Sequence, residues 1–357
     1  MITESIQQMF ARTGAQALFI TDPHNMRYLS GFRGGQGMVY ISSKHSVLIT
    51  DSRFTEAARR ESRFEVIEED HAHKRAKILR GLLAEDGAEI VGYEDKFMHC
   101  YEFSRLQNAL PEIQQWLPLE EQIDGLRRIK TEKEMELISH ATKIGDEAFR
   151  ALLDQIHPGM TEREAAARMD YELKIRGAGS LSFDTIMASG TNGSMPHAIP
   201  TDKAFEKGDF VIMDFGCIYE GYCSDITRTV AIGEASPRQK EIYQIVYDAQ
   251  QKALDGIRPG MTAHDCDALG REVIETAGYG KNFGHMLGHG VGLYYHESPM
   301  LCPSDSTVIE EGMVITVEPG IYIPGFGGVR IEDLVAVEKD GVRRLSELPR
   351  ELIELDF

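Results

Sequence analysis

Four carboxylates and a histidine occupy positions that a merely structural chain would give to apolar residues. Asp214 interrupts the run VIMDFG (211–216), and Asp225 opens DITRT after a hairpin-like stretch (217–222) with Gly221 at its turn. Glu318 closes the hydrophobic MVITVEPG (313–320), and Glu332 sits inside VRIEDLV (329–335). His285 and His289 lie among glycines in GHMLGHGVG (284–292). A carboxylate in an apolar strand is costly unless it is paired or bound to a cation. Only Arg228 and Arg330 fall within these motifs, too few to neutralise the acids. Ionised, the four acids carry −4, which two divalent cations balance. One histidine and four hard oxygens suit Mn²⁺, Co²⁺, Fe²⁺ or Zn²⁺, with Mg²⁺ a poorer fit. Paired ions of this kind activate water for hydrolysis.

The elements that must position these residues can be read from the same half of the chain. Thr131-Glu-Lys-Glu134 is a capping box opening a helix to about Gln155. An internal repeat follows, LDQIHPGMT (153–161) and LDGIRPGMT (254–262), offset by 101 residues. The pairs Gly177/Gly278 and Gly179/Gly280 keep that offset. Each copy reads as a helix end, a Pro-Gly turn, a Thr N-cap and a second helix stopped by glycine. A period this long is not a solenoid. It implies two related α+β halves whose sheets join around a site on a pseudo-twofold axis. The glycines of GFGG (325–328) read as a hairpin turn rather than a phosphate loop, since no GK[ST] follows.

Upstream, strands are expected at 17–21, 38–41, 46–50 and 89–93, with a charged helix over 54–61. Strands alternating with helices suggest an α/β layer. The stretch 115–124, around the single Trp116, reads as a linker, and the domains divide as 1–124 and 125–357. No chemistry is legible in the first domain. The chain has 357 residues and a formal charge of −19, which argues against nucleic acid held through phosphates. The N-terminal MITESIQQMFARTGAQALFI lacks a basic leader region, and no long apolar run occurs. The five cysteines are scattered, without metal-type spacing. A cytoplasmic protein without membrane spans is expected. His157 and His264 at helix starts, and His71 and His73 in an acidic segment, read as solvent-facing.

The order Asp, Asp, His, Glu, Glu resembles that of the dinuclear metallopeptidases of pita-bread fold. These comprise methionine aminopeptidases, Xaa-Pro aminopeptidases and Xaa-Pro dipeptidases (prolidases). Thr21–Gly31 (TDPHNMRYLSG) looks like the start of a creatinase/prolidase-type N-terminal domain, and NGSMPHA, VIMDFG, SDITRT, GHMLGHGVGLYYHE and VEPGIYIPGFGGVRIED follow in family order. The resemblance implies an α/β N-terminal domain followed by an α+β pita-bread catalytic domain. It makes Asp214 a terminal ligand of one ion, Asp225 and Glu332 bridging ligands, and His289 and Glu318 ligands of the other, with Mn²⁺ the expected metal. Glu318 would also exchange the proton of the attacking water. His197 and His296 would hold the scissile peptide, and His285, Tyr322 and Arg330 would line or support the proline pocket. Arg330 and Thr227, each two residues from an acid on one strand face, would orient Glu332 and Asp225.

The substrate class the resemblance implies is peptides with proline second, cut by a homodimer. A methionine aminopeptidase usually lacks the first domain, and creatinases and non-catalytic relatives lack the intact ligand set. Prolidases often carry an arginine shortly after the second active-site histidine. Here Glu297–Leu301 has none, which favours an aminopeptidase over a strict dipeptidase.

Overall fold

The computed structural model describes residues 2–357, and side chains from residue 4 onward. The chain divides into two units, Met1–Arg127 and Arg128–Phe357. The first is built on β1 (Ala17–Ile20), β2 (Met38–Ser42), β3 (Ser46–Asp51), β4 (Glu65–Glu69), β5 (Ile90–Tyr93) and β6 (Gln115–Pro118). They form one sheet in the order β4-β3-β2-β1-β5-β6. The pairs β1–β2 and β2–β3 are antiparallel, while β1–β5, β5–β6 and β3–β4 are parallel. The expected linker is therefore partly an edge strand, followed by a short helix Glu120–Asp124. Trp116 explains why: its ring packs edge-on against Phe19, Tyr93 and Phe103, so this segment belongs to the sheet's core. β4 also went unread, because its sequence EVIEE offers only two apolar residues.

Beside this sheet lies a buried group of acids. Glu94 Oε2 accepts hydrogen bonds from the backbone N–H groups of Thr21 (2.5 Å) and Asp22 (2.8 Å), where a helix begins at Pro23–Ser30. Asp22, Glu120 and Asp124 bring carboxylate oxygens within 4.8 Å of one another. Burial, then the charges of Glu94, Asp124 and Asp22, push the Glu120 carboxyl up to about 8.

The second unit carries four long helices, Glu132–Leu153, Glu162–Ile175, Pro237–Gly256 and Ala263–Thr276. Its strands are β7 (Ser180–Leu181), β8 (Ile186–Ser189), β9 (Phe210–Phe215), β10 (Cys217–Tyr219), β11 (Tyr222–Cys223), β12 (Ile226–Ile232), β13 (Gly288–Gly290), β14 (Glu297–Leu301), β15 (Val314–Val317), β16 (Gly320–Ile323), β17 (Gly327–Arg330), β18 (Asp333–Glu338), β19 (Gly341–Arg344) and β20 (Ile353–Leu355). One sheet runs β20-β12-β9-β8, another β14-β13-β15-β18-β19, and β16 pairs with β17 alone.

The repeat is structural. Thr161 and Thr262 each cap a helix, their side chains accepting from the N–H three residues on. Gly159 and Gly260 turn with φ of 89° and 92°, in the left-handed region that glycine adopts freely. Each copy also makes one bridge to a later segment, Thr161 to Ala204 and Thr262 to Val308. Two apolar cores match the two halves. The first gathers Phe149, Met169, Met213 and Phe215, and the second Val246, Ile274, Ile315 and Val335. Among the described residues no helix is long and apolar enough to cross a membrane.

Candidate active site

The ligand-type residues come from both halves and meet at their seam. Antiparallel pairing sets Asp214 on β9 opposite Thr227 on β12, and Thr227 in turn bridges to Glu332 just before β18. This register draws the acids of β9, of the β12 start and of the second half into one place. Ligand atoms of Asp225, His289 and Glu332 lie within 4.8 Å of one another. His289 Nε2 stands 3.2 Å from Glu318 Oε1 and 3.7 Å from Asp225 Oδ2. Asp214 joins the group through Arg330, whose Nη2 donates to its Oδ2 at 2.6 Å.

The histidine is oriented toward the acids. Its Nδ1 sits 3.2 Å from the Gly290 carbonyl, which turns Nε2 to the site. Its backbone N–H donates to Thr316 Oγ1 (3.0 Å), and that hydroxyl donates to Glu318 Oε1 (3.1 Å). Thr316 thus ties two candidate ligands together. It precedes Glu318 by two residues on one strand face, a spacing that could have revealed it.

Arg330 does not act where its spacing suggested. It was expected to orient Glu332, yet its guanidinium faces Asp214, with Nε also donating to Thr227 Oγ1 at 3.1 Å. The Thr227 hydroxyl serves Glu332 rather than Asp225, donating to Oε2 at 2.6 Å. The difference comes from contacts between strands: the Thr227–Glu332 bridge brings Glu332 to the Thr227 hydroxyl, and the bonds of Thr229 to the Arg330 backbone hold the arginine where it faces Asp214. Arg228 turns away from the site, donating to Asp333 Oδ1 (2.7 Å) and to the Glu332 carbonyl (2.5 Å).

Electrostatically the site has one guanidinium, Arg330, against four carboxylates. Burial, then the neighbouring carboxylates, drive Asp225 and Glu332 well above the usual carboxylate range, and burial raises Asp214. Burial also works against Glu318, but its contact with His289 and the charges of His289, His285 and Arg330 bring it down to about 2. Asp214 Oδ1 is buried without a hydrogen-bond partner. An orphaned carboxylate oxygen beside acids that repel one another, with an imidazole nitrogen facing them, fits divalent cations.

A cavity of roughly 360 Å³ opens over these groups. His197 and His296 line it along with His285, and Phe183, Ile199 and Tyr295 give it an apolar wall. The His296 ring lies against His289, with centroids 4.0 Å apart. Burial, then the charge of His289, pull His296 down to about 4, so at neutral pH it is a neutral N–H donor rather than an imidazolium. His285 Nε2 and Arg330 Nη1 both meet the Tyr322 hydroxyl, at 2.9 and 2.8 Å, and Tyr322 stands behind them. His157, His264, His71 and His73 are exposed and away from the cavity.

Comparison with known proteins bears on this geometry. The family model for metallopeptidase family M24 matches residues 136–339, and that for the creatinase/prolidase N-terminal domain matches residues 3–129. The chain belongs to metallopeptidase family M24. It is a metallopeptidase of pita-bread fold with a creatinase-type N-terminal domain. A Xaa-Pro dipeptidase of Pyrococcus furiosus is 39% identical, over 98% of this chain and 99% of its own. The solved Xaa-Pro dipeptidase from Bacillus anthracis superposes with a TM-score of 0.94 at 40% identity, covering 98% of both chains. The X-Pro aminopeptidase from Thermotoga maritima gives 0.89 at 37%, covering 98% and 99%. M24 membership accounts for a hydrolytic site that uses divalent metal, and the groups gathered at the seam are those able to hold it.

Proposed function

We propose that this M24 enzyme is an exopeptidase that hydrolyses the Xaa-Pro bond at peptide N-termini, using two divalent cations held by Asp214, Asp225, His289, Glu318 and Glu332. The observation that carries the reading is the convergence of these five side chains, from both halves, on the floor of a cavity walled by His197, His285 and His296. Bound there, the cations would polarise the scissile carbonyl and make a water nucleophilic at neutral pH. The chain's own groups do the rest. Asp225, Glu332 and Asp214, the last under the grip of Arg330, would hold the cations with His289, and Glu318 takes the water's proton and returns it to the leaving nitrogen. His296, a neutral N–H donor, and His197 hold the peptide and its developing oxyanion.

Proline in second place gives a tertiary amide without N–H and with fixed φ. The pocket of His285 and Arg330, backed by Tyr322, accepts that ring. Manganese is the preferred ion, on the strength of four oxygen donors and one imidazole. The reading includes a cytoplasmic homodimer. Five cysteines standing as free thiols support the compartment, and the creatinase-type first domain supports the dimer.

A strict dipeptidase is the second reading, favoured by the names of the Pyrococcus and Bacillus relatives. Against it, no arginine lies in the stretch after His296, and Glu297 there faces Lys130 Nζ at 3.3 Å. Product analysis separates the two. An aminopeptidase releases the first residue from Xaa-Pro tripeptides, while a strict dipeptidase cuts only the free dipeptide. Comparable rates on Xaa-Ala peptides, or cleavage after N-acetylation, would remove the protein from the proline-peptidase class.

A further inference from the structure

Glu162 opens the helix Glu162–Ile175 and is fully buried, yet it faces no lysine or arginine. Its carboxylate is occupied instead by six hydrogen bonds. Oε1 accepts from the Ser189 N–H (2.7 Å), the Ser189 hydroxyl (2.8 Å) and Asn192 Nδ2 (3.1 Å). Oε2 accepts from Asn192 Nδ2 (3.1 Å), the Thr201 N–H (3.0 Å) and the Thr201 hydroxyl (2.6 Å). Those donors sit at the two ends of one segment, 189–201. Between them the chain runs along the cavity wall and presents His197.

The repeat shows that the helix start does not itself require this acid. The residue at the same offset in the second copy is Ala263, after an equivalent Thr cap and Pro-Gly turn. The carboxylate is confined to the half that carries His197. Ser189 is also paired with Val211 and bonded by Lys203 Nζ, and Ala198 is buried against Ala188, Ile212 and Tyr322, but the stretch around His197 has fewer ties. Arg330 Nη1 donates to the Pro196 carbonyl at 3.2 Å, and Gly193 lies so close to β17 that a Cβ on Gly328 would sit 2.2 Å from its carbonyl oxygen. His197 itself is exposed, and Met195 and Ile199 beside it are 50% and 81% exposed. Without the bonds to Glu162 the exposed stretch around Met195, His197 and Ile199 would sample more conformations, because few of its own side chains are packed.

We infer that Glu162 is a positioning residue for catalysis, clamping both ends of the 189–201 segment so that His197 is held over the metal-ligand cluster. The inference rests on the reading of His197 as a group that holds the scissile peptide. A buried carboxylate accepting several N–H and O–H bonds fixes its donors more tightly than neutral acceptors can.

The test compares Glu162→Gln, His197→Ala and the double variant in the full-length, metal-loaded enzyme. Glutamine keeps the size but turns an NH₂ group toward donors, breaking one end of the clamp. With a Xaa-Pro peptide, Glu162→Gln should lower kcat about tenfold or more, move KM little and leave the metal content of the wild type. The double variant should be no worse than His197→Ala alone, because both act through one group. Amide exchange should speed up within residues 190–200 and stay unchanged around Asp214 and Glu332. Should Glu162→Gln fail to fold, Thr201→Val, which removes one bond to Glu162 along with those its hydroxyl accepts from Asn192 Nδ2 and the Lys203 N–H, should give the same pattern in weaker form. Multiplying losses in the double variant, or unchanged exchange across 190–200, would overturn the inference. A fully active His197→Ala enzyme with faster exchange in Glu162→Gln would instead overturn the role given to His197 and leave the clamp standing.

Discussion

Replacing Arg330 by lysine keeps the charge and removes the fork. The guanidinium reaches Asp214 Oδ2 at 2.6 Å, the Tyr322 hydroxyl at 2.8 Å, Thr227 Oγ1 at 3.1 Å and the Pro196 carbonyl at 3.2 Å, and the residue is 3% exposed. An ammonium can hold Asp214, but a planar fork with five donors is needed to serve all four partners at once. Two or three of these bonds are lost, each contributing about 0.5–1.5 kcal/mol net, so the site loosens by roughly 2–3 kcal/mol. If half or more of that is felt in the transition state, kcat/KM falls roughly 10- to 100-fold. Arg330→Ala should be worse, because it removes the charge together with all four bonds, and breaking a buried ion pair costs about 3–5 kcal/mol. Steady-state kinetics on a Xaa-Pro peptide, run beside metal analysis of the same sample, checks both. A lysine variant within twofold of the wild type, with full metal content, would refute the idea that one guanidinium sets Asp214 and the cavity wall together.

Chelation should abolish activity, and Mn²⁺ or Co²⁺ should restore it; full turnover in metal-stripped protein would sink the two-ion reading. Asp225→Glu should be inactive despite its conserved charge, since a bridging carboxylate tolerates little displacement, and a titration of activity against added Mn²⁺ would show it. His197→Ala and His296→Ala should each lower kcat by roughly 10²–10³ with metal content unchanged; loss of metal from His296→Ala would instead make it a ligand. Glu120 provides a pH test in the first unit. Its carboxyl rises from 4.5 to about 8 on folding, so the folded chain keeps a proton that the unfolded chain releases, and stability falls as pH rises across that window. Glu120→Gln should flatten the fall, gaining on the order of 4 kcal/mol over the wild type at pH 8 but only about 1 kcal/mol at pH 5 in urea denaturation.

Much of the site was legible because burying charge leaves a signature in sequence. Asp214, Glu318 and Glu332 stand out as acids in apolar runs, and a repeat sharing Pro-Gly-Met-Thr announces two similar halves. What sequence could not supply was the pairing between strands. Spacing puts Arg330 beside Glu332 and Thr227 beside Asp225, whereas the seating of Arg330 against Thr229 turns it to Asp214 and the Thr227–Glu332 bridge gives Thr227 to Glu332. Glu162 was passed over because an acid after a Thr cap looks like ordinary helix-start chemistry. Its partners at 189, 192 and 201 are distant in sequence. Trp116 was taken for a linker residue because its four-residue strand is too short to show a period, and only the aromatic cluster it joins reveals its place.

The seam has a thermodynamic consequence of its own. Asp214 and Asp225 belong to one half, while His289, Glu318 and Glu332 belong to the other, each half with its separate core. On the proposed ligand set an ion seated between them would be a cross-link as well as a reagent, and its binding energy would add to the work of pulling the halves apart. A ligand that binds only the folded chain stabilises it by RT ln(1 + [L]/Kd), about 2.7 kcal/mol at a hundredfold excess over Kd. The melting midpoint of this enzyme is then a gauge of metal supply, and starvation for the ion leaves a chain that is silent and also easier to unfold and degrade.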